Sequence, residues 1–276
     1  MKKILVTMMA FVLTIGTQGQ TETIDTAQFV AVYDYECRTE DDEGVPITDR
    51  MQVVVQVGRT VTKSMPHSSY IQTDEKSIAD LKAVHQEAIL HIPTVWTGWP
   101  EGQTTVRDFI FPHEFEGSEE TPCIVWTLTE DTMTMNGYHC QQATTNIRGI
   151  EWRAWYTDDV PSSAGPWRLR GLPGLIVKAE SEAHTFTLVE PRQETSPITY
   201  EQKPDVQRMA YTKLLKYRNE VYGNKQYAKN PAYYIPDFGG SISHMEVFKN
   251  DGQQFIFANG YPLLTKAHVY QPLELE

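Results

Sequence analysis

The side chains that could do chemistry are scattered along this 276-residue sequence and do not form a standard catalytic or metal-binding motif. The chain contains no H-E-x-x-H, C-x-x-C, G-x-S-x-G or phosphate-loop pattern. Ser241, Ser243 and His244 place hydroxyls beside an imidazole, but a nucleophile and its base must meet in space with an orienting acid. His139 and Cys140 are neighbours in a predicted strand, so they point to opposite faces and cannot easily share a metal ion. The sequence therefore predicts no catalytic residues, no metal and no cofactor.

Aromatic side chains form the densest group of potential ligand contacts. In one predicted strand, Trp152 and Tyr156 share a face, while Trp155 faces the other way. Tryptophans on both faces indicate either a sheet covered on both sides or an exposed aromatic surface. The first alternative is core packing and the second is a ligand groove. Together with Trp167 and Arg170 from the following loop, these residues are the predicted ligand-binding set.

The sequence has three cysteines, Cys37, Cys123 and Cys140. In an oxidising compartment, one disulfide with one free thiol is the simplest outcome, and any of the three pairs could form it. If Glu130-Asp131 formed a turn, Cys123 would lie opposite Tyr138 and diagonal to Cys140 on the same sheet face. We therefore expect a Cys123–Cys140 disulfide.

The loop that must position the aromatic set spans residues 158–173 and is rich in Pro, Gly and Trp. Pro161 and Pro166 fix φ and remove hydrogen-bond donors, which disfavours a helix or a central strand. Gly165 allows a turn or a close backbone approach. Long loops that are ordered on a rigid sheet are often functional. We expect this signature loop (158–173) to anchor the sheet first, and to form the lip of a binding site second.

The end of the loop carries a family signature. Residues 171–176 read GLPGLI, namely Gly171, Leu172, Pro173, Gly174, Leu175 and Ile176. They follow Ala154-Trp155-Tyr156-Thr157, Asp159-Val160-Pro161 and Gly165-Pro166, with Gly137-Tyr138-x-Cys140 further upstream. This ordered series resembles the GLPGLI family of exported Bacteroidota proteins over about residues 123–180, with Val160 and Ile150 as mild departures. The resemblance implies a periplasmic or outer-membrane-associated protein, and it brings no established activity, substrate or catalytic residue.

The N-terminus predicts export. Lys2 and Lys3 precede the apolar run 4–15 and a small-residue cleavage pattern, so residues 1–19 are expected to be a signal peptide and residues 20–276 a single domain. No later apolar run approaches the ~18 residues of a membrane-spanning helix. The net charge of −12 argues against a nucleic-acid partner, because phosphate binding needs clustered Lys and Arg.

Strand patterns fill most of the remaining chain. Residues 28–37 alternate apolar and polar side chains, and residues 51–57 read MQVVVQV; both patterns are typical of strands. From Cys123 the sequence predicts an antiparallel meander with strands at 123–129, 134–147, 150–157, 175–180 and 184–190. Two polar segments, 112–121 and 191–204, are predicted to be loops.

Two segments change to a helical period, 77–92 and 205–223. Ser77 with Asp80 resembles a capping pair, Asp205 is a plausible cap, and Gly223 is a plausible stop. Runs of strands with few helices predict a mainly β (α+β) fold: a curved antiparallel sheet or half-barrel with two amphipathic helices packed on one face.

These features favour an exported, non-catalytic binding or carrier protein. Its ligand would be an apolar small molecule, a lipid or a peptide segment held between sheet and helices and gated by the signature loop. Half-barrel carriers of lipoproteins and lipids are a fold-level analogy. One alternative is a hydrolase whose site is assembled from distant residues. Another is a cell-envelope assembly or interaction module that binds an envelope protein through the basic segment 203–229.

Overall fold

The computed structural model describes residues 20–41, 43–70, 92–110, 113–224, 245–250, 253–258, 261–263 and 268–275. The predicted signal peptide, the predicted helix 77–92 apart from Ile92, and the Ser241–His244 segment lie outside the described residues.

Strands dominate the described chain. They are β1 (Gln20–Thr26), β2 (Phe29–Glu40), β3 (Pro46–Val57), β4 (Thr62–Pro66), β5 (Thr94–Thr97), β6 (Gln103–Ile110), β7 (His113–Glu120), β8 (Thr127–Met135), β9 (Tyr138–Ile147), β10 (Ile150–Thr157), β11 (Leu175–Glu180), β12 (His184–Arg192), β13 (Pro197–Gln202), β14 (Gln207–Ala210), β15 (Met245–Asn250), β16 (Gln253–Ala258) and β17 (Tyr261–Leu263). The described helices are α1 (His67–Tyr70) and α2 (Tyr211–Tyr222). The prediction of a mainly β chain is confirmed.

One open sheet of twelve strands organises the described chain, in the order β14-β7-β6-β5-β4-β3-β2-β12-β11-β10-β9-β8. It consists of two antiparallel meanders, β2–β7 and β8–β12, that join where β12 pairs with β2. Only β14 breaks the pattern, because it runs parallel to β7. The predicted antiparallel sheet is therefore confirmed, as are the predicted Arg148-Gly149 and 181–183 connections between strands.

The centre of the sheet is covered on both faces. Strand β2 buries Tyr33 and Tyr35 in the main core, and it buries Val30 in a second cluster on its other face. That second cluster includes Ile198 of β13, which pairs with β1 to form a separate two-stranded sheet. Residues 191–204 were expected to be a loop, but 197–202 form β13, whose Thr199 carbonyl accepts hydrogen bonds from Trp96 Nε1 and Lys63 Nζ.

The β8–β9 turn differs from the prediction and changes the cysteine geometry. The turn is Asn136-Gly137, both with positive φ, and not Glu130-Asp131. Because Thr127 pairs with Thr144, Cys123 lies beyond one end of the hairpin, while Cys140 pairs with Met133 near the other end. The expected Cys123–Cys140 disulfide is consequently not formed: Cys37, Cys123 and Cys140 are all free thiols.

Residues 112–121 were also expected to be a loop, but 113–120 form strand β7. Their four glutamates weaken the strand signal, yet in the fold Glu114, Glu116 and Glu119 are each paired with a cation. Glu116 accepts hydrogen bonds from Arg107 Nη2 at 2.6 Å and from Arg208 Nε at 3.2 Å. Two arginines compensate the buried charge, so an acidic segment is stable as an inner strand.

The second predicted helix is confirmed in part. It begins at Tyr211 and not at Asp205, because residues 207–210 form β14. It ends at Tyr222, before Gly223, as the sequence predicts. Its buried side chains face the sheet at Gly117, where an added Cβ would lie 2.9 Å from the Tyr211 Cα. Gly117 therefore lets the helix backbone approach the sheet closely.

None of the helices in the described ranges is long and apolar enough to cross a membrane.

Candidate functional site

The signature loop folds back over the core face of the sheet. Backbone hydrogen bonds tie it to itself and to the start of β11: Gly171 N donates to Ser163 O at 2.9 Å, and Ile176 N donates to Ala164 O at 3.2 Å. Leu169 and Leu172 are fully buried under it. The loop is thus ordered by packing, as expected, and supplies part of the core itself.

The predicted ligand-binding residues separate into two groups. Trp152 and Tyr156 are buried in the main core, where Trp152 packs against Phe186 with ring centroids 6.1 Å apart. Trp155 is half-buried on the opposite face of β10. Trp167 and Arg170 instead border a cavity beside the signature loop. Trp167 and Arg170 thus share one cavity, whereas Trp152 borders a separate cavity of about 510 Å³ beside Arg38 and Glu180.

Trp167 is held in a strained backbone conformation. Its φ is 55°, a left-handed value that is an outlier for a bulky side chain. Ser64 of β4 fixes this geometry, since Ser64 Oγ accepts a hydrogen bond from Trp167 N at 2.9 Å. The ring packs on Trp152 with centroids 5.7 Å apart, and the buried indole Nε1 has no acceptor among the described residues. Strained residues with unsatisfied donors concentrate at functional sites.

The cavity next to Trp167 has a volume of about 350 Å³. The signature loop forms one wall, and the β3–β4 and β5–β6 connections form the others. Its lining is mostly polar and includes the arginines Arg59, Arg168 and Arg170 and the hydroxyl residues Thr60, Thr62, Thr97, Thr121, Ser162 and Ser163. The volume lies within the range of small-molecule sites.

Arg168 anchors the loop from beneath the cavity. Its side chain is 5% exposed, and Nη1 lies 2.9 Å from Glu274 Oε1, while Nη2 pairs with Glu119. Burial opposes the charge of Arg168, but Tyr211, Glu274 and Glu119 outweigh it and hold the pKa above its usual value. The buried Glu274 carboxylate also pairs with Arg148 and accepts a hydrogen bond from the Tyr211 hydroxyl. Arg168 therefore joins the loop to α2 and to the C-terminal segment.

A second buried ion pair lies under the same helix. Arg218 Nε is 2.8 Å from Asp108 Oδ2, and both side chains are almost fully buried. The Arg218 guanidinium also lies 5.7 Å from the Tyr222 ring centroid. This pair fixes α2 on β6 and does not line the cavity.

The described residues contain one group in which a thiol, a phenol and an imidazole meet. Tyr35 OH is 2.8 Å from His184 Nδ1, and His184 Nε2 is 3.0 Å from the Pro272 carbonyl. Because a carbonyl can only accept, Nε2 carries the proton and Nδ1 accepts from Tyr35. Burial lowers the pKa of His184 to about 4 and raises that of the Cys37 thiol to about 12.

Those shifts leave the group unsuited to catalysis. A thiol with a raised pKa is a poor nucleophile, and an imidazole with a strongly lowered pKa is a poor base. Cys37, Tyr35 and His184 are each at most 5% exposed. No group of three or more His, Cys, Asp or Glu side chains able to hold a metal ion occurs in the described part of the chain.

The structure also reveals residues that the sequence did not single out. Arg168 lies between Trp167 and Leu169, and a charged residue between two large apolar residues is the sequence feature that could have indicated a buried, paired charge. Its partners Glu119 and Glu274 are far away in sequence, and no local pattern connects them.

Comparisons with known proteins place the signature loop in a recognised family segment. A family model described as "Protein of unknown function (Porph_ging)" matches residues 146–178, a range that contains the whole GLPGLI motif. None of the curated proteins matches the sequence.

Two solved structures were compared with the whole fold. A structure of PNGF-II is 13% identical with a TM-score of 0.45; the match covers 72% of this chain and 33% of that one. The chain thus spans about a third of the length of PNGF-II. The LolA superfamily protein NE2245 from Nitrosomonas europaea is 9% identical with a TM-score of 0.24, and the match covers 62% of this chain and 88% of that one. At these values neither structure assigns a ligand or an activity to this chain.

Proposed function

We propose that the protein is an exported, non-catalytic binding protein that holds a small polar ligand in the cavity beside the signature loop. The observation that carries the proposal is Trp167. Trp167 borders the cavity with a left-handed backbone that is anchored by Ser64, and its ring packs against Trp152 in the core. A fold maintains such strain only where the surrounding structure imposes it, and strained residues concentrate at ligand sites.

A polar ligand fits this fold better than the apolar one expected from the sequence. An apolar ligand needs space on the core face of the sheet, but the loop residues Leu169 and Leu172 already fill it, together with Trp152. The cavity beside the signature loop is lined by arginines and hydroxyls. Binding there would depend on a few placed hydrogen bonds and less on apolar area.

The two alternatives receive less support. The hydrolase hypothesis needs an accessible nucleophile and base, whereas Cys37 and His184 are buried and their pKa values are shifted away from reactivity. The interaction-module hypothesis needs free cations in the basic segment. Among its described residues, Lys203 pairs with Glu114 at 2.9 Å and Arg208 pairs with Glu116 at 3.2 Å, which leaves the exposed Lys213 as a cation outside any ion pair with the described residues.

Export and membership of the GLPGLI-type family belong to the same proposal. They are supported by the N-terminal pattern of the sequence and by the family match at residues 146–178. A fusion of residues 1–19 to a reporter enzyme should direct the reporter to the periplasm of the source bacterium. A reporter that stays in the cytoplasm would contradict export.

A cavity-filling variant tests the binding function. Ser163 is exposed at the cavity, and its side chain makes no hydrogen bond to a described residue, so Ser163→Trp should block the cavity with little effect on folding. Ser118→Trp, at an exposed position of β7, is the matched control. Native mass spectrometry of protein purified from its own periplasm should reveal a bound small molecule in the wild type and in the control but not in Ser163→Trp. A ligand that all three retain would place the site elsewhere.

A further inference from the structure

The charge of the cavity is opposite to that of the protein. The chain has a net charge of −12, yet three arginines and no Asp or Glu line the cavity. Because cavities lined by one sign of charge focus the field, a positive cavity on an acidic protein attracts anions selectively.

Two of the three arginines are not compensated by a carboxylate of the described residues. Arg168 and Arg148 are balanced by the two carboxylates that they share, Glu119 and Glu274. By contrast, Arg59 in the β3–β4 turn and Arg170 in the signature loop form no ion pair with any described residue.

The carboxylate behind the β3–β4 turn belongs to Asp25, and it is already used by the backbone. Asp25 Oδ2 accepts hydrogen bonds from Thr60 N and Val61 N, each at 2.9 Å. Asp25 does not line the cavity. It therefore shapes the turn that carries Arg59 and does not compete for the guanidinium.

The remaining donors indicate what accompanies the anionic group. Guanidinium groups bind carboxylates in a planar, bidentate geometry. Thr97, Ser162 and Ser163 add hydroxyls that donate and accept. A ligand that carries a carboxylate together with several hydroxyls would satisfy all of these groups.

We infer that the cavity binds a hydroxylated small carboxylate, of the chemical class of the uronic acids, with Arg59 and Arg170 contacting its carboxylate. This inference rests on the proposed binding function and specifies its ligand class. Arg168 is a positioning residue, because its own hydrogen bonds hold the loop that presents Arg170 and Trp167.

Isothermal titration calorimetry with glucuronate and glucose tests the inference, because the two sugars differ in one carboxylate. We expect glucuronate to bind at least about tenfold more tightly than glucose and to lose affinity as salt is added. Arg59→Gln and Arg170→Gln should each weaken glucuronate binding about tenfold, the value of a charge-assisted hydrogen bond. Arg192→Gln is the control, since Arg192 is half-exposed and pairs with Glu190 away from the cavity.

Equal affinity for the two sugars, unchanged binding in both arginine variants, or no binding of either sugar would overturn the inference. Native mass spectrometry of the periplasmic protein separates this failure from that of the proposed function. If a neutral molecule co-purifies with the wild type and is absent from Ser163→Trp, the proposed binding function stands and the carboxylate ligand is wrong. An empty protein that binds neither probe would reject both. Circular dichroism of each variant establishes that the binding differences do not come from unfolding.

Discussion

Gly174 should be the least replaceable glycine of the GLPGLI motif. A Cβ at this position would lie 1.9 Å from the Thr157 carbonyl oxygen and 2.8 Å from Asp158 N. Ordinary contact begins at 3.4 Å, so the backbones of β10 and β11 would have to separate by about 1.5 Å (3.4 − 1.9). Both neighbours are backbone, and no side chain can rotate away. The separation would occur where Thr157 pairs with Leu175.

We expect Gly174→Ala to lower the free energy of unfolding by about 3 kcal/mol, at the upper end of overpacking effects. For a chain of this size this corresponds to a fall in Tm of roughly 6–12 °C. The matched variant is Gly171→Ala in the same motif. Gly171 has a φ of 92°, but an added Cβ would meet no atom closer than Trp126 Nε1 at 4.0 Å. Backbone strain alone should cost about 1–2 kcal/mol there.

Urea unfolding followed by tryptophan fluorescence measures both variants, and equal m-values would establish that they unfold from comparably compact states. The reasoning fails if Gly174→Ala is as stable as the wild type. It also fails if Gly171→Ala is the more destabilised of the two, because backbone conformation, and not close backbone contact, would then be the main reason for glycine in the motif.

Three further predictions concern buried charge, pH and the cysteines. Glu274→Gln should destabilise the fold by about 3 kcal/mol, since it removes the fully buried partner of Arg168. The control Glu190→Gln, at a half-exposed pair, should cost less than about 1 kcal/mol. Urea unfolding compares the two variants, and equal losses of stability would contradict a buried ion-pair network. Burial lowers the pKa of His184 to about 4 in the fold from 6.5 in the unfolded chain, so between these pH values the unfolded chain binds the extra proton. The free energy of unfolding should therefore fall by up to about 3 kcal/mol as pH drops from 6.5 to 4. A His184→Gln variant whose free energy of unfolding falls equally with pH would refute this. Maleimide should label only the exposed Cys123 in the native protein, and all three cysteines in denaturant without reductant. Labelling of a single cysteine in denaturant would instead show that two of the cysteines form a disulfide.

The sequence was sufficient for elements whose buried and exposed residues alternate. Strand β10 was predicted at its observed bounds, because burial on one face leaves a period-two pattern. An Asn-Gly pair between two strands is a strong indicator of a hairpin turn, and Asn136-Gly137 is such a pair. The prediction placed the turn at the acidic pair 130–131 instead. That error displaced the register of β9 against β8 and produced the predicted disulfide.

Other features depended on partners that no local pattern identifies. Strand β7 has the polar composition of a loop because of its glutamates, and ion pairs with cations such as Arg107, Arg208 and Arg168 make it compatible with the sheet. The late start of α2 has a similar cause. Residues 207–210 have a helical period, but pairing with β7 and the ion pair of Arg208 with Glu116 hold them in an extended strand. Tertiary contacts decided both segments.

The candidate site follows from how the signature loop packs on the core. In the sequence Trp167-Arg168-Leu169-Arg170, the first three residues are buried. Arg168 meets Glu274 and Glu119 in the interior, while Arg170 is half-buried and borders the cavity. Core packing thus leaves one cation satisfied and one unsatisfied. The signature loop can therefore anchor the sheet and, by the same geometry, present a guanidinium to a ligand.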